Sequence, residues 1–243
     1  MTVDESRLVA ARALALLDLT DLGDTCTDSK VDALCRDARA GGVAAICVWP
    51  SFVEQGARAL AGTGIRLATV INFPEGGEDA ARAADDAAEA LRDGAGEIDL
   101  VLPYRAFLRG DEAVARDVVE AVRETCPDAL LKVILETGAL REAGAIRAAA
   151  DLALAAGADF LKTSTGKSPV SATPEAARIL LDAVLASGRP AGVKVSGGLR
   201  TLDDAAAYLA LADRAMGPAW ARPATFRLGA SSLFGVLMQA RDA

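Results

Sequence analysis

The chain has 243 residues, of which 52% are hydrophobic and 4% aromatic, and its net charge is −8. The acidic balance argues against a nucleic-acid partner or an anionic membrane, since both require a basic surface. The sequence contains no histidine, which excludes a histidine base and a histidine-ligated metal. Chemistry must therefore come from lysine, aspartate, glutamate, cysteine, serine, threonine or tyrosine side chains.

Cysteine usage and the N-terminal composition bear on the cellular location. The four cysteines are Cys26, Cys35, Cys47 and Cys126. They form no CxxC pair and no zinc-type spacing, which indicates a reducing environment. Charged residues precede any apolar stretch, so we expect no secretory signal, and no apolar run approaches the length of a membrane span. We therefore expect a cytoplasmic protein with no membrane partner.

Short runs typical of β-strands alternate along the chain with alanine-rich segments, in which apolar residues recur at three- and four-residue spacing. The predicted strands are Leu16–Thr20, Val43–Trp49, Leu67–Asn72, Ile98–Leu102, Leu130–Glu136, Phe160–Thr163, Gly192–Val195 and Phe226–Gly229. The predicted helices that follow them are Asp28–Ala40, Phe52–Ala61, Glu78–Asp93, Asp111–Glu124, Arg141–Ala156, Pro174–Ala186, Leu202–Arg214 and Ser232–Ala240. An extra N-terminal helix is expected over residues 4–13, and Thr27, Thr173 and Thr201 mark helix starts.

This alternation predicts an α/β fold, a (β/α)8 TIM barrel with an additional N-terminal helix. No linker or low-complexity stretch divides the chain, so we expect a single barrel domain over residues 1–243. A doubly wound open sheet is the alternative. It is disfavoured because no Gly-x-Gly-x-x-Gly turn follows the first strand.

Two of the predicted strands carry a lysine that is followed at once by a loop of small residues. Lys162 lies in the segment DFLKTSTGK, and Lys194 lies in the segment GVKVSGG on the next strand. Burial disfavours the ammonium form, as does a second ammonium nearby, and a neutral amine is a nucleophile toward carbonyls. The pattern predicts a Schiff-base site beside a phosphate site, but spacing alone leaves open which lysine attacks.

Other polar residues at the carboxyl ends of the strands have two interpretations each. Asp99 is a candidate general acid or base, or a counter-ion of the strand lysines. Asp18 and Thr20 share one strand face, and could position a substrate hydroxyl or form hydrogen bonds at the barrel mouth. Lys132 could tune the charge of the site or pair with Glu136.

Cys47 lies within an apolar run and has no basic activator in its segment. We therefore expect it to face the core of the barrel, lining the substrate site without serving as the nucleophile. Trp49 and Phe73 are interpreted as packing residues.

Three loops after the sixth, seventh and eighth strands contain glycine or paired serines. A single glycine turn is weak evidence, but barrel phosphate sites are commonly built from the last loops and a helix N-terminus. Backbone N–H groups and serine hydroxyls would donate, and a lysine would supply charge. The candidate phosphate ligands are Thr165, Gly166, Lys167, Gly197, Gly198, Ser231 and Ser232.

Taken together, these segments resemble the deoxyribose-phosphate aldolases over nearly the whole chain. The specific parts are the Lys-Thr-Ser-Thr-Gly run at 162–166 and the Lys-x-x-Gly-Gly-x-Arg-Thr run at 194–201. The resemblance implies that Lys162 carries the Schiff base, that Lys194 and Asp99 relay protons, and that the three loops hold the 5-phosphate. It implies class I cleavage of 2-deoxy-D-ribose 5-phosphate to D-glyceraldehyde 3-phosphate and acetaldehyde, with no metal or cofactor.

Two alternatives remain at this point. One is another lysine-dependent aldolase that acts on a longer phosphorylated sugar, and the other is a catalytically silent barrel that binds a phosphorylated metabolite. The family's C-terminal tyrosine has no counterpart beyond Tyr208, so enamine protonation is expected at an altered rate. A homodimer is compatible with the sequence, which does not fix the oligomeric state.

Overall fold

In the computed structural model, which describes residues 1–243, eight parallel strands close into a barrel. Each strand pairs with the next along the chain, and β8 pairs with β1, with Leu17 opposite Leu228. The strands are β1 Leu17–Asp21, β2 Ala45–Val48, β3 Arg66–Ile71, β4 Glu97–Val101, β5 Leu130–Ile134, β6 Phe160–Lys162, β7 Gly192–Ser196 and β8 Phe226–Ala230. The predicted (β/α)8 barrel is confirmed, with each strand within a few residues of its predicted bounds.

Helices surround the barrel, and the additional N-terminal helix is present. They are α1 Val3–Ala15, α2 Asp28–Gly41, α3 Val53–Leu60, α4 Ala80–Arg92, α5 Tyr104–Leu108, α6 Glu112–Thr125, α7 Thr137–Leu140, α8 Ala143–Ala155, α9 Pro174–Ser187, α10 Leu202–Met216 and α11 Leu233–Asp242. The sequence did not predict α5, α7 or the 3₁₀ turn Pro50–Phe52, because a single turn is too short to show an apolar period. None of the helices combines the length and apolar composition that a membrane span requires.

Two of the three marked helix starts are capped by the expected side chain. Thr173 accepts a hydrogen bond from a backbone N–H in the first turn of α9 at 3.1 Å. Thr201 and Asp204 form a reciprocal capping box at the start of α10. Thr27 precedes α2 but makes no capping hydrogen bond. Its hydroxyl lies 3.1 Å from that of Ser29 instead.

Strand alternation separates an apolar layer from a charged barrel interior. On β4, Ile98 and Leu100 belong to the large apolar core that packs strands against helices. Glu97 and Asp99 point to the other side and are buried inside the barrel, as the two-residue period of a strand requires. Strands β1, β5, β6, β7 and β8 also place charged side chains in the interior, whereas the interior residues of β2 and β3 are uncharged.

Candidate active site

A cavity of about 620 Å³ opens at the carboxyl end of the barrel, where the loops after β1, β6, β7 and β8 meet. Functional sites of such barrels lie at this end. The structure brings most of the predicted site residues together in its wall. These are Thr20, Lys162, Thr165, Gly166, Lys167, Gly197, Gly198, Ser231 and Ser232.

Lys162 differs from the other interior lysines because it alone lines this cavity. It is the last residue of β6 and is 2% exposed. Its Nζ donates a hydrogen bond to Oδ2 of Asp99 at 2.8 Å. Lys132 and Lys194 are also buried but do not line the cavity. Of the three interior lysines, a molecule in the cavity can therefore reach only Lys162 directly.

Asp99 is the common partner of the three lysines. Its Oδ1 accepts from Lys132 at 2.6 Å, and its Oδ2 accepts from Lys162 at 2.8 Å and from Lys194 at 2.7 Å. Burial favours the neutral acid, but the three ammonium groups outweigh it and hold the pKa of Asp99 well below its usual value. Asp99 is therefore a carboxylate at neutral pH.

The three lysines titrate in different directions. Burial lowers the pKa of Lys162, and although Asp99 opposes the shift, the charge of Lys194 reinforces it. Burial also disfavours the ammonium of Lys194, but attraction to Asp18 and Asp99 prevails and raises its pKa. The pKa of Lys132 is raised in the same way, by Asp99 and Glu97 acting against burial. Only Lys162 is biased toward the neutral, nucleophilic amine.

The side chain of Lys194 passes close to Gly229 on β8, which has no side chain of its own. A Cβ on Gly229 would lie 2.9 Å from Cε of Lys194, too close for two carbons. Lys194 Nζ is 2.6 Å from Oδ2 of Asp18, which is fully buried. Asp18 thus contacts the charged floor beneath the cavity and does not line the cavity wall.

Two charged residues of the interior were not identified from the sequence as site residues. Arg227 on β8 lies 2.5 Å from Oδ1 of Asp18 and 3.0 Å from Oε1 of Glu97. Glu97 is also 2.7 Å from Nζ of Lys132. The two-residue spacing of Glu97 and Asp99, and an arginine within an apolar strand, were signals that could have found them. Arg200, which lines the cavity, was missed as well.

The suggested pairing of Lys132 with Glu136 is wrong. Lys132 pairs with Asp99 and Glu97, whereas Oε2 of Glu136 accepts a 2.5 Å hydrogen bond from the Thr165 hydroxyl. Strand β5 ends at Ile134, and Glu136 has a φ of 55°, so strand alternation does not extend to it. Glu136 contacts the β6 loop instead of the charged interior.

This contact organises the loop that follows Lys162. The hydroxyl of Thr165 donates to Glu136 and accepts the backbone N–H of Lys167 at 3.0 Å. The Lys167 ammonium reaches the rim, 3.5 Å from Asp24 and 5.9 Å from the centre of the Trp49 ring. The loop therefore has a fixed backbone and a cation at the cavity entrance.

Cys47 lies outside the cavity wall. It is fully buried and packs in a small apolar cluster with Leu22, Ala68 and Val70. Burial raises the pKa of its thiol, so it is protonated and a poor nucleophile. Beside this cluster the rings of Trp49 and Phe73 pack edge to face, with centroids 5.5 Å apart.

The two glycines of the β7 loop predict a matched pair of variants. Gly197 and Gly198 have φ of 92° and 89°, so alanine at either position costs about 1–2 kcal/mol of backbone strain. A Cβ on Gly197 would lie 2.6 Å from Cβ of Ser171, whereas one on Gly198 meets nothing within 4 Å. Gly197→Ala is therefore expected to lose roughly 1–3 kcal/mol more stability from overpacking. Urea unfolding measures both, and equal losses would contradict this packing.

Comparison with known proteins places the chain in a family. Residues 12–231 match the DeoC/LacD family aldolase model. The deoxyribose-phosphate aldolase of Agrobacterium fabrum is 50% identical over 238 residues, which cover 96% of this chain and 92% of the relative.

Solved structures agree. An apo-form protein from Toxoplasma gondii ME49 assigned to the deoxyribose-phosphate aldolases has a TM-score of 0.90 and 27% identity, with 98% of each chain covered. The tetrameric deoxyribose phosphate aldolase of Aeropyrum pernix has a TM-score of 0.81 and 25% identity, over 98% of this chain and 96% of that one. The resemblance found in the sequence is confirmed, and the chain belongs to the DeoC/LacD family of aldolases.

Proposed function

We propose that this aldolase cleaves 2-deoxy-D-ribose 5-phosphate reversibly to D-glyceraldehyde 3-phosphate and acetaldehyde, through an imine on Lys162. One observation carries the proposal. Of the three lysines in the barrel interior, Lys162 alone lines the cavity, and burial lowers its pKa. The other two interior lysines lack both properties. A neutral amine facing a cavity is the arrangement that carbonyl addition requires.

The first half-reaction forms the imine. Lys162 Nζ adds to the aldehyde carbon of the open-chain sugar, and loss of water gives the imine. Once protonated, the imine nitrogen accepts the electron pair of the bond between carbons two and three as that bond breaks. The iminium thus stabilises the developing charge, which is the task of a Lewis acid in metal-dependent aldolases.

Asp99 and Lys194 are proposed as the proton relay. Bond cleavage requires the carbon-three hydroxyl to lose its proton, and the carboxylate of Asp99 lies 2.8 Å from the reacting nitrogen. A water between the hydroxyl and the Asp99–Lys194 pair would carry that proton. D-Glyceraldehyde 3-phosphate then leaves. The remaining enamine is protonated on carbon, and hydrolysis of the imine releases acetaldehyde and restores Lys162.

The loops after β6, β7 and β8 are proposed to hold the phosphate. Gly166, Gly197 and Gly198 offer backbone N–H groups without a side chain in the way, and all three line the cavity. Ser231 and Ser232 also line it, directly before α11. A helix N-terminus favours an anion. Lys167 and Arg200 supply positive charge at the rim.

The phosphate assignment predicts a selective loss. Replacing both Ser231 and Ser232 with alanine is expected to raise KM for 2-deoxy-D-ribose 5-phosphate by about 10²- to 10⁴-fold, since two hydrogen bonds to a charged group contribute roughly 1.5–3 kcal/mol each. The KM for unphosphorylated 2-deoxy-D-ribose should change by less than about twofold, because this sugar has no phosphate for the serines to bind. Steady-state kinetics on both sugars measure this, and equal losses on the two sugars would argue against a phosphate role.

Borohydride trapping tests the substrate class. Incubation with acetaldehyde and borohydride should leave a stable two-carbon adduct on the peptide that contains Lys162, read by peptide mass spectrometry. A ketone of similar size should label it far less. Preferential labelling by the ketone would favour the alternative of an aldolase for a longer phosphorylated sugar.

A reducing, cytosolic location is proposed on the state of the cysteines. All four are free, and burial raises the pKa of Cys35, Cys47 and Cys126, which leaves them protonated and unreactive. A homodimer stays a prediction, and the Aeropyrum pernix relative is tetrameric. Sedimentation velocity of the purified chain distinguishes these assemblies.

A further inference from the structure

Six buried side chains below the cavity form a closed ring of ion pairs in which positive and negative groups alternate. In order, its members are Asp99, Lys132, Glu97, Arg227, Asp18 and Lys194, and the last pairs with the first. Each neighbouring pair is 2.5–3.0 Å apart. We name this set the charge ring.

The charge ring is balanced without Lys162. Its three carboxylates and three cations sum to zero, and every member has two partners of opposite sign. Lys162 is attached from outside the ring, through its 2.8 Å contact with Asp99. A charged Lys162 would leave one surplus positive charge in a buried site, which is unfavourable. A neutral Lys162 leaves none.

We propose that Glu97 and Arg227 are positioning residues that close the charge ring and thereby leave Lys162 as the one amine of the cluster without a carboxylate of its own. Neither residue can touch the substrate directly, because neither lines the cavity. Both reach a separate cleft at the amino-terminal mouth of the barrel. The inference rests on the proposed function, since it assigns to these residues a role in preparing the nucleophile.

A short series of ion pairs connects Arg227 and Glu97 to Lys162. Arg227 holds Asp18, which holds Lys194, which shares one oxygen of Asp99 with Lys162. Glu97 acts from the other side of the ring: it pairs with Lys132, which contacts the second oxygen of Asp99.

The remaining strands add no competing charge. β2 contributes the buried thiol of Cys47, whose pKa is raised by burial, and β3 contributes the apolar Ala68 and Val70. At the cavity mouth the charged groups are Asp21, Lys167 and Arg200. They are partly or well exposed, where solvent and salt screen their effect.

The test follows the titration of Lys162 without using turnover. Only a neutral amine reacts with cyanate, so the rate of carbamylation at Lys162 against pH, read by peptide mass spectrometry, reports its protonation. Glu97→Gln adds net positive charge to the ring and should move the rise of the carbamylation rate (the rate limb) to lower pH. Arg227→Gln adds net negative charge and should move it to higher pH. Each shift should be about one pH unit, the effect of a unit charge about 10 Å away at a dielectric constant near 20.

A double variant and a conservative variant separate charge balance from structural damage. Glu97→Gln combined with Arg227→Gln restores neutrality. The pH at which carbamylation rises in this double variant should therefore differ from the wild-type value by no more than about a third of either single shift. Arg227→Lys keeps the charge and should titrate like the wild type. Shifts in the same direction, or a double variant displaced further than either single one, would overturn the proposal. If the Arg227 variants do not fold, an unshifted Glu97→Gln limb overturns it alone.

The proposed function fails separately. The proposed function would be disproved if acetaldehyde and borohydride left no adduct on the wild-type protein. The cyanate titration reads charge balance whether or not that adduct forms.

Discussion

Lys162→Ala is expected to abolish both turnover of 2-deoxy-D-ribose 5-phosphate and the borohydride-stable adduct with acetaldehyde. The variant removes the amine that lines the cavity, and the deeper lysines are held as ammonium ions by their carboxylate partners. Loss of a covalent nucleophile lowers kcat by roughly 10⁵-fold or more. A coupled assay for D-glyceraldehyde 3-phosphate and mass spectrometry of the trapped protein measure the two effects.

This loss should not come from unfolding. Removing Lys162 takes away a buried amine that lies outside the charge ring and leaves the six-membered ring intact, so the thermal midpoint should be unchanged or higher. Lys167→Ala is the matched control, since that lysine sits partly exposed at the rim of the same loop. It should retain acetaldehyde labelling at position 162. An active Lys162→Ala enzyme, or an adduct on another lysine of that variant, would disprove the assignment.

Lys194→Leu is expected to slow the chemistry by roughly 10²- to 10³-fold, within the usual range for loss of a proton-transfer group. Without Lys194, Asp99 and Asp18 keep their charges but lose a shared ammonium partner. Lys162 then becomes the favoured partner of Oδ2 of Asp99, and its pKa rises. The neutral amine therefore forms only at higher pH, and the ascending limb of the pH–rate profile moves upward.

The measurement is the pH dependence of kcat/KM together with that of adduct formation by acetaldehyde. Lys167→Leu again provides the comparison, because removal of an exposed ammonium should raise KM for the phosphate ester and leave the limb in place. The Lys194 variant should also lose about 3–5 kcal/mol of stability, the usual effect of breaking a buried ion pair. An unchanged limb in a folded Lys194→Leu protein would show that the two lysines are not coupled.

The apolar patterns of short segments predicted the architecture well, as individual strands show. Apolar runs such as 98–102 and 226–229 read as strands because β4 and β8 pack one face on the helices. The bounds differ mainly where a loop leaves the barrel early. Residues 135 and 136 were predicted in the fifth strand, but β5 ends at Ile134, because the backbone at Glu136 turns to φ 55° and the side chain bonds Thr165.

The site was predicted in part. The sequence predicted Lys162 and Lys194 on adjacent strands with Asp99 as a counter-ion in the barrel, and the structure brings both lysines within hydrogen-bond distance of Asp99. The glycine and serine loops meet in one cavity, as expected for strands that end at the same mouth. Cys47 faces the barrel interior but not the cavity. Glu97 and Arg227 were not assigned, because the ion pair between them spans 130 residues of the chain and that of Arg227 with Asp18 spans 209.

The sequence by itself determined the barrel and its family, and it placed Lys162, Lys194 and Asp99 among the candidate site residues. Period, composition and motif spacing are local properties, and they suffice for those conclusions. Which lysine has a lowered pKa is a property of the closed barrel. It depends on how many carboxylates face how many cations across the axis, and on which amine lines the cavity. Electrostatic energies in a buried site follow distances between strands, and only the tertiary structure sets those distances.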